Sequence, residues 1–148
     1  MKVAIIFTVC LMLVGCQNNR EEASFISISK GYLFGAGTEG FKKENLIIST
    51  SEEWKTFLNK LNVSNNVSET FNNSFDYSNE TIIAVFDKVR NSGGFSIEIT
   101  EVLNEEKVEV TIKSTGPKPT DMVATAIMQP YHIVKIKKTK KEIKFLEL

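Results

Sequence analysis

The sequence is poor in the residues from which most catalytic and metal sites are built. It contains one His, one Trp, two Cys and three Pro among 148 residues. A zinc site cannot be assembled around a single His without several cysteines. A Ser-His-Asp site would need His132 beside an activated nucleophile, and no G-x-S-x-G elbow is present to supply one. These shortages argue against an enzyme and against a bound metal.

The chain also lacks an excess of charge of either sign. Eighteen basic residues balance eighteen acidic ones, which argues against a dedicated nucleic-acid binder. Apolar residues make up 42% and charged residues 24%, a composition typical of a folded globular domain. The length suits one core, but it is short for a two-half dinucleotide fold or a (β/α)8 barrel. We therefore expect one domain and no cofactor.

No apolar run reaches the roughly 20 residues that a membrane-spanning helix needs. Residues 3–14 are apolar apart from Thr8, follow a Lys, and give way to a polar stretch at residues 17–22. This pattern predicts a signal peptide over residues 1–15. Residues 16–23 are then a polar tether, and residues 24–148 a single globular domain.

The segment Leu13-Val14-Gly15-Cys16 resembles the lipobox of bacterial lipoproteins. Cys10 lies inside the leader, so Cys16 is expected to be the only mature cysteine, with its thiol free for lipid. In lipoproteins of this kind the Cys carries a diacylglyceryl thioether and usually an N-acyl chain such as palmitate. Two or more chains anchor a protein stably, so we expect a domain tethered to the bilayer of the cell envelope. By the same resemblance, Gln17 favours the outer membrane where a cell has two. An ordinary cleaved signal or an uncleaved apolar tail is the alternative.

The pattern of the mature chain predicts an α+β fold, mainly antiparallel β. The one convincing helix begins after Thr50, with Glu53 completing a capping box, and carries an apolar stripe from Trp54 to Leu61 that is expected to pack on a sheet. The strand signals predict an open sheet or partly open sandwich of six to seven strands. They fall at residues 25–28, 46–48, 82–86, 95–99, 108–112, 131–136 and 143–148, with turns at 104–106 and 138–140.

Several motifs have an ordinary structural reading beside a functional one. Residues 35–40 match G-x-G-x-x-G, but no helix opens after them, so we expect a flexible turn and no bound nucleotide. His132 lies in an alternating strand, which favours a structural role. Six lysines between Lys135 and Lys144 could meet anionic lipid or an acidic partner, or could be a solvated hairpin whose charges prevent edge-to-edge strand pairing.

Two loops are candidates for contact with a partner protein. In the first, two glycines stand directly before a strand and could leave backbone groups open to a partner. The second is flanked by prolines. The candidate residues are Ser92, Gly93, Gly94, Phe95, Pro117, Lys118 and Pro119.

The order of features in residues 76–134 resembles the C-terminal domain of the PrcB family, protease-complex subunits that are small bacterial lipoproteins. The strings that carry the resemblance are residues 92–95, where relatives typically read Thr-Gly-Gly-Tyr, residues 116–119 in a Pro-rich loop, and residues 129–134 in a closing strand. Ser92 and Phe95 depart from the family's Thr and Tyr but keep the shape.

The resemblance implies a non-catalytic protein that associates with an envelope or secreted protease and supports its maturation or stability. It carries over no catalytic residues. A protease inhibitor that fills an active-site cleft with a rigid loop is an alternative, as is a purely structural envelope lipoprotein. An enzyme would need an acid, base and nucleophile that the sequence does not show.

Overall fold

The structure is a computed structural model that describes residues 22–71 and 74–148. The predicted signal peptide, Cys16 and most of the predicted tether lie outside the described residues. The elements, in chain order, are β1 (Phe25–Leu33), β2 (Glu44–Ile48), α1 (Ser51–Leu61), a short 3-10 helix (Val67–Thr70), β3 (Glu80–Phe86), β4 (Ser96–Asn104), β5 (Val108–Thr115), β6 (Gln129–Lys137) and β7 (Ile143–Glu147).

The seven strands of the described residues form two sheets. One has four strands in the order β1-β6-β3-β2, all antiparallel, and the other has three in the order β4-β5-β7. β4 and β5 form the predicted antiparallel hairpin. The prediction of an α+β domain, mainly antiparallel, with one packed helix is confirmed.

The last strand does not pair as the sequence pattern suggested. The reading of β6 and β7 as a hairpin is wrong, because β7 leaves the sheet of β6 and pairs in parallel with β5, with Ile143 opposite Val108. Residues 138–142 therefore cross from one sheet to the other. An alternating strand shows which of its faces is apolar but not which edge it joins, so the sequence did not distinguish the two pairings.

Helix α1, the four-stranded sheet and the three-stranded sheet form three layers, and β3 lies in the middle one. This explains why β3 is apolar on both faces. Ile83 and Val85 point into the core between the two sheets, together with apolar residues of β4, β5 and β6. Ile82 and Phe86 point the other way, into a second core that α1 closes. β3 thus lies in the middle layer, where neither face meets water.

Helix α1 begins and docks as its sequence predicts. The Thr50 hydroxyl accepts a hydrogen bond from the backbone N–H of Glu53, whose carboxylate accepts from the backbone N–H of Thr50. A further hydrogen bond from the backbone N–H of Ser49 is the main cause that holds the pKa of Glu53 below its usual value. Trp54, 5% exposed, packs in the core with Phe57.

Candidate protein-binding site

Three connecting segments meet at one end of the sandwich, which we call the loop end. They are residues 34–43 between β1 and β2, residues 87–95 between β3 and β4, and residues 116–128 between β5 and β6. Antiparallel pairing brings the end of one strand beside the start of the next, as with Leu33 opposite Gln129. The topology therefore gathers loops that are distant in sequence.

An ion pair orders the segment that leads to the glycine turn. Asp87, 1% exposed, accepts hydrogen bonds from the Arg90 guanidinium, at 2.7 Å from Nε and 2.6 Å from Nη2. The guanidinium lies over the Phe95 ring, 4.2 Å from its centroid. The N–H groups of the planar cation thus bond to a buried carboxylate while the cation lies over an aromatic ring, which restrains the position of Phe95.

The two loops proposed as partner contacts pack against each other. A Cβ on Gly94, where φ is +84°, would stand 3.1 Å from Cβ of Pro117 and from Cγ1 of Val123. A Cβ on Gly116 would stand 2.8 Å from the Phe95 ring. These close approaches need glycine, so the turn and the Pro-rich loop form one surface.

The glycine turn is less open than the sequence suggested. Gly93 is buried, and its N–H donates to the carbonyl of Ala124 at 2.9 Å. The same two segments are also joined at Arg90 and Met128, where each backbone N–H donates to the carbonyl of the other residue. The expectation that the turn leaves its backbone groups open to a partner is wrong for Gly93, although Gly94 is exposed.

Gln129 ties the third segment to the same end. Its side-chain Nε2 donates to the carbonyls of Phe41 and Asp87 at 3.0 and 2.8 Å, and the residue is 1% exposed. One amide therefore joins the start of β6 to the segments that follow β1 and β3. Sequence analysis missed this residue, since a Gln at the start of a strand gives no pattern that distinguishes a buried clamp from a surface residue.

Residues 35–40 form a turn, as predicted. No helix follows, and the chain runs into β2. Ala36, Gly37 and Gly40 have positive φ. Glu39, 2% exposed, folds back so that its carboxylate accepts a hydrogen bond from the backbone N–H of Gly35 at 3.0 Å, which closes the turn.

Apolar side chains remain exposed around the loop end. Met122 is fully exposed, and the other large ones are Tyr32, Phe34, Val123 and Ile127. Tyr32 and Phe34 lie next to each other, with 6.2 Å between their ring centroids. Lys118 and Pro119, both predicted contacts, are exposed on the same segment as Met122. Exposed apolar groups with a polar surround are typical of a protein-binding surface.

His132 does not belong to this surface. It is 2% exposed between the sheets, where Nδ1 accepts the backbone N–H of Ile99 at 2.9 Å and Nε2 lies 2.9 Å from the Ser27 hydroxyl. Burial lowers the pKa of His132 to about 4, helped by the nearby Lys30 and opposed by Glu98. A neutral ring hydrogen-bonded at both nitrogens fits the structural role that the sequence favours. Among the described residues, no group of three or more His, Cys, Asp or Glu could hold a metal ion.

Residues 81–137 match the family model described as PrcB C-terminal. The matched segment runs from β3 to the end of β6 and includes two of the three segments of the loop end. No curated protein and no solved structure matches the chain.

Proposed function

We propose that this chain, whose residues 81–137 match the PrcB C-terminal family model, is a non-catalytic, lipid-anchored protein of the bacterial cell envelope. In this proposal the loop end binds an envelope or secreted protease and supports its maturation or stability. Acylated Cys16 holds the domain at the bilayer.

The observation that carries the proposal is the packing of Gly94 against Pro117 and of Gly116 against Phe95. These contacts join two loops, separate in sequence, into one surface with exposed apolar side chains beside it. The buried Asp87–Arg90 pair restrains that surface, which lowers the cost of ordering it when a partner binds.

The position of the chain's entry point supports the same arrangement. Ala23 bonds to Val102 at the end where β1 begins, whereas the loop end lies where β1 finishes. Nine strand residues separate the two ends by roughly 25 Å. An anchor before residue 23 would leave the loop end directed away from the bilayer.

Photocrosslinking in intact cells tests the binding surface. A photoreactive residue in place of Phe95 or Lys118 should capture one protease, identified by mass spectrometry. The same residue in place of Lys55, which is exposed on α1, is the matched control and should not capture it. Equal capture from all three positions, or capture of no protein, would contradict the proposal.

The effect of the domain on the captured protease separates the alternatives. Protease activity or lifetime that depends on the domain supports a subunit, whereas loss of activity on addition of the domain supports an inhibitor. For the anchor, a fatty-acid probe should label the chain but not the Cys16→Ser variant, and that variant should leave the membrane fraction. Equal attachment of both forms would overturn the anchor.

A further inference from the structure

At the end opposite the loop end, a cavity of about 370 Å³ opens between the two sheets. Its floor is apolar and includes Val102, Val108 and Ile136. Its rim is the segment 137–141, which carries four lysines as it crosses from β6 towards β7. The described residues that line the cavity include no acid.

Two of the four rim lysines are held in place and two are available. Lys138 Nζ donates to the carbonyls of Ser49 and Tyr77, and Lys141 Nζ donates to Asn104 and to the carbonyl of Glu105. These bonds keep the positive charges at the rim. Within residues 22–71 and 74–148, no hydrogen bond or ion pair engages the amines of Lys137 and Lys140.

Two of the acids near this rim form ion pairs with lysines outside it. Glu142 pairs with Lys107 and Glu80 pairs with Lys135. Glu105 and Glu106 lie in the β4–β5 turn, outside the lining of the cavity. The cavity thus presents a positive rim over an apolar floor, the complement of an amphipathic anion.

The chain enters the domain beside the same cavity, because Ala23 contributes to its lining. From Cys16 to Ala23 the backbone can extend by at most about 25 Å. An anchor at Cys16 would therefore keep the rim within that distance of the bilayer surface, while the positive charges attract anionic headgroups.

We propose that this cavity is a docking site for the anionic phospholipid of the bilayer to which the chain is tethered. The phosphate meets the amines of Lys137 and Lys140, and the apolar floor receives the adjoining part of the lipid. The site rests on the proposed anchoring for its orientation. Binding there gives the domain a fixed orientation on the membrane, with the loop end facing away from the bilayer.

Lipid capture by the full chain tests the site. The chain carries photoreactive benzoylphenylalanine in place of Thr139 or, in a second preparation, of Asn104, and is reconstituted in vesicles with equal phosphatidylglycerol and phosphatidylcholine. We expect several-fold more phosphatidylglycerol than phosphatidylcholine in the crosslinked product. The same group in place of Met122 should capture almost no lipid.

Paired variants separate the cavity from general charge. Each lysine near an anionic surface strengthens attachment by about fivefold. The double variant Lys137→Gln and Lys140→Gln should therefore bring the capture ratio close to one, while the control Lys55→Gln and Lys113→Gln, at two exposed lysines outside the cavity and the loop end, should leave it unchanged. A ratio near one in the parent chain, or equal loss in both double variants, would overturn the site.

The mass of the peptide that contains Cys16, measured in the same samples, shows whether Cys16 is lipid-modified. It therefore distinguishes a failure of the cavity proposal from a failure of the anchor proposal. An acylated Cys16 with no lipid preference contradicts the cavity and leaves the anchor intact. An unmodified Cys16 with a strong preference contradicts the anchor and supports the cavity.

Discussion

His132 on β6 and Ile99 on β4 join the two sheets through one hydrogen bond, from the Ile99 backbone N–H to the ring Nδ1 at 2.9 Å. β4 is an edge strand, and its ladder is irregular between Ile99 and Glu101. The imidazole thus satisfies a buried amide that has no strand beside it on that side. Since Nδ1 accepts, the ring must be neutral, with its proton on Nε2 towards Ser27.

This bond predicts a loss of stability in mild acid. The pKa of His132 is about 4 in the folded protein, whereas a His exposed in the unfolded chain has the ordinary value of 6.5. As the pH falls, the unfolded chain therefore takes up the proton first. The contribution of neutral His132 to the free energy of unfolding is complete above pH 6.5. It is lost as the pH falls towards 4, and the loss amounts to about 3 kcal/mol in total. Urea unfolding at a series of pH values measures it.

The His132→Gln variant is the control, because it offers an acceptor and a donor but does not titrate. Its free energy of unfolding should stay nearly level between pH 6.5 and 5. Carboxylates with lowered pKa values, such as Glu80 and Glu98, lose their contribution only below this interval. The same slope in both proteins would show that another group is responsible.

Removal of Arg90 should destabilise the loop end. Arg90→Ala leaves the Asp87 carboxylate, with a side chain 2% exposed, buried without its cation. We expect a loss of about 3 kcal/mol in the free energy of unfolding, and weaker partner capture from Phe95. Thermal unfolding and crosslinking yield measure the two effects.

Lys43→Ala is the matched control for this prediction. Lys43 pairs with Glu147, but both side chains are about half exposed, so the loss should be about 0–1 kcal/mol. Equal losses for Arg90→Ala and Lys43→Ala would show that the buried pair has no special part in stability.

A methyl group at position 94 should separate the two loops of the binding surface. In Gly94→Ala the new Cβ meets Pro117 and Val123 at 3.1 Å while φ stays at +84°. We expect a cost of about 1–3 kcal/mol and loss of the N–H protection of Gly93 in hydrogen exchange. Gly31→Ala, whose nearest neighbour lies at 3.5 Å, should cost nothing. Unchanged exchange at Gly93 in Gly94→Ala would contradict the packing.

The start of α1 offers a prediction that is independent of function. Thr50→Ala removes the side-chain acceptor of the Glu53 N–H and should lower stability by about 1 kcal/mol. Thr56→Ala, on an exposed face of the same helix, should be neutral or slightly stabilising. Chemical denaturation compares the two, and an equal loss in both would rule out the cap as the cause.

Local sequence patterns predicted the helix and the strands but not which strands pair with each other. The cap at Thr50 and the apolar stripe of α1 are set by neighbours along the chain, and both were predicted. The pairing of β7 with β5 was not, because Ile143 and Phe145 show only which face of the strand is apolar. β6 has no free edge, because β1 and β3 flank it, whereas the side of β5 away from β4 is open to β7. That strand order follows only from the packing of the whole core.

For the binding surface too, the sequence predicted the separate segments but not the contacts between them. The turn at residues 92–95 and the loop at residues 117–119 were proposed separately from glycine and proline patterns and from the family resemblance. Their contact, the Asp87–Arg90–Phe95 arrangement and the clamp of Gln129 were not foreseen. Each joins residues whose side chains have no periodic relation, so no spacing in the sequence could indicate them.

The sequence by itself determined the fold class of this protein, an α+β domain with one capped helix, and the lipid anchor at Cys16 stays a prediction from its pattern. These follow from composition and from interactions within a few residues. Only the tertiary structure decided which loops share a surface, where His132 lies and that the C-terminal lysines rim a cavity beside the entry of the chain. Those facts depend on strand order and on the pairing of distant residues, which the packing of two cores fixes together.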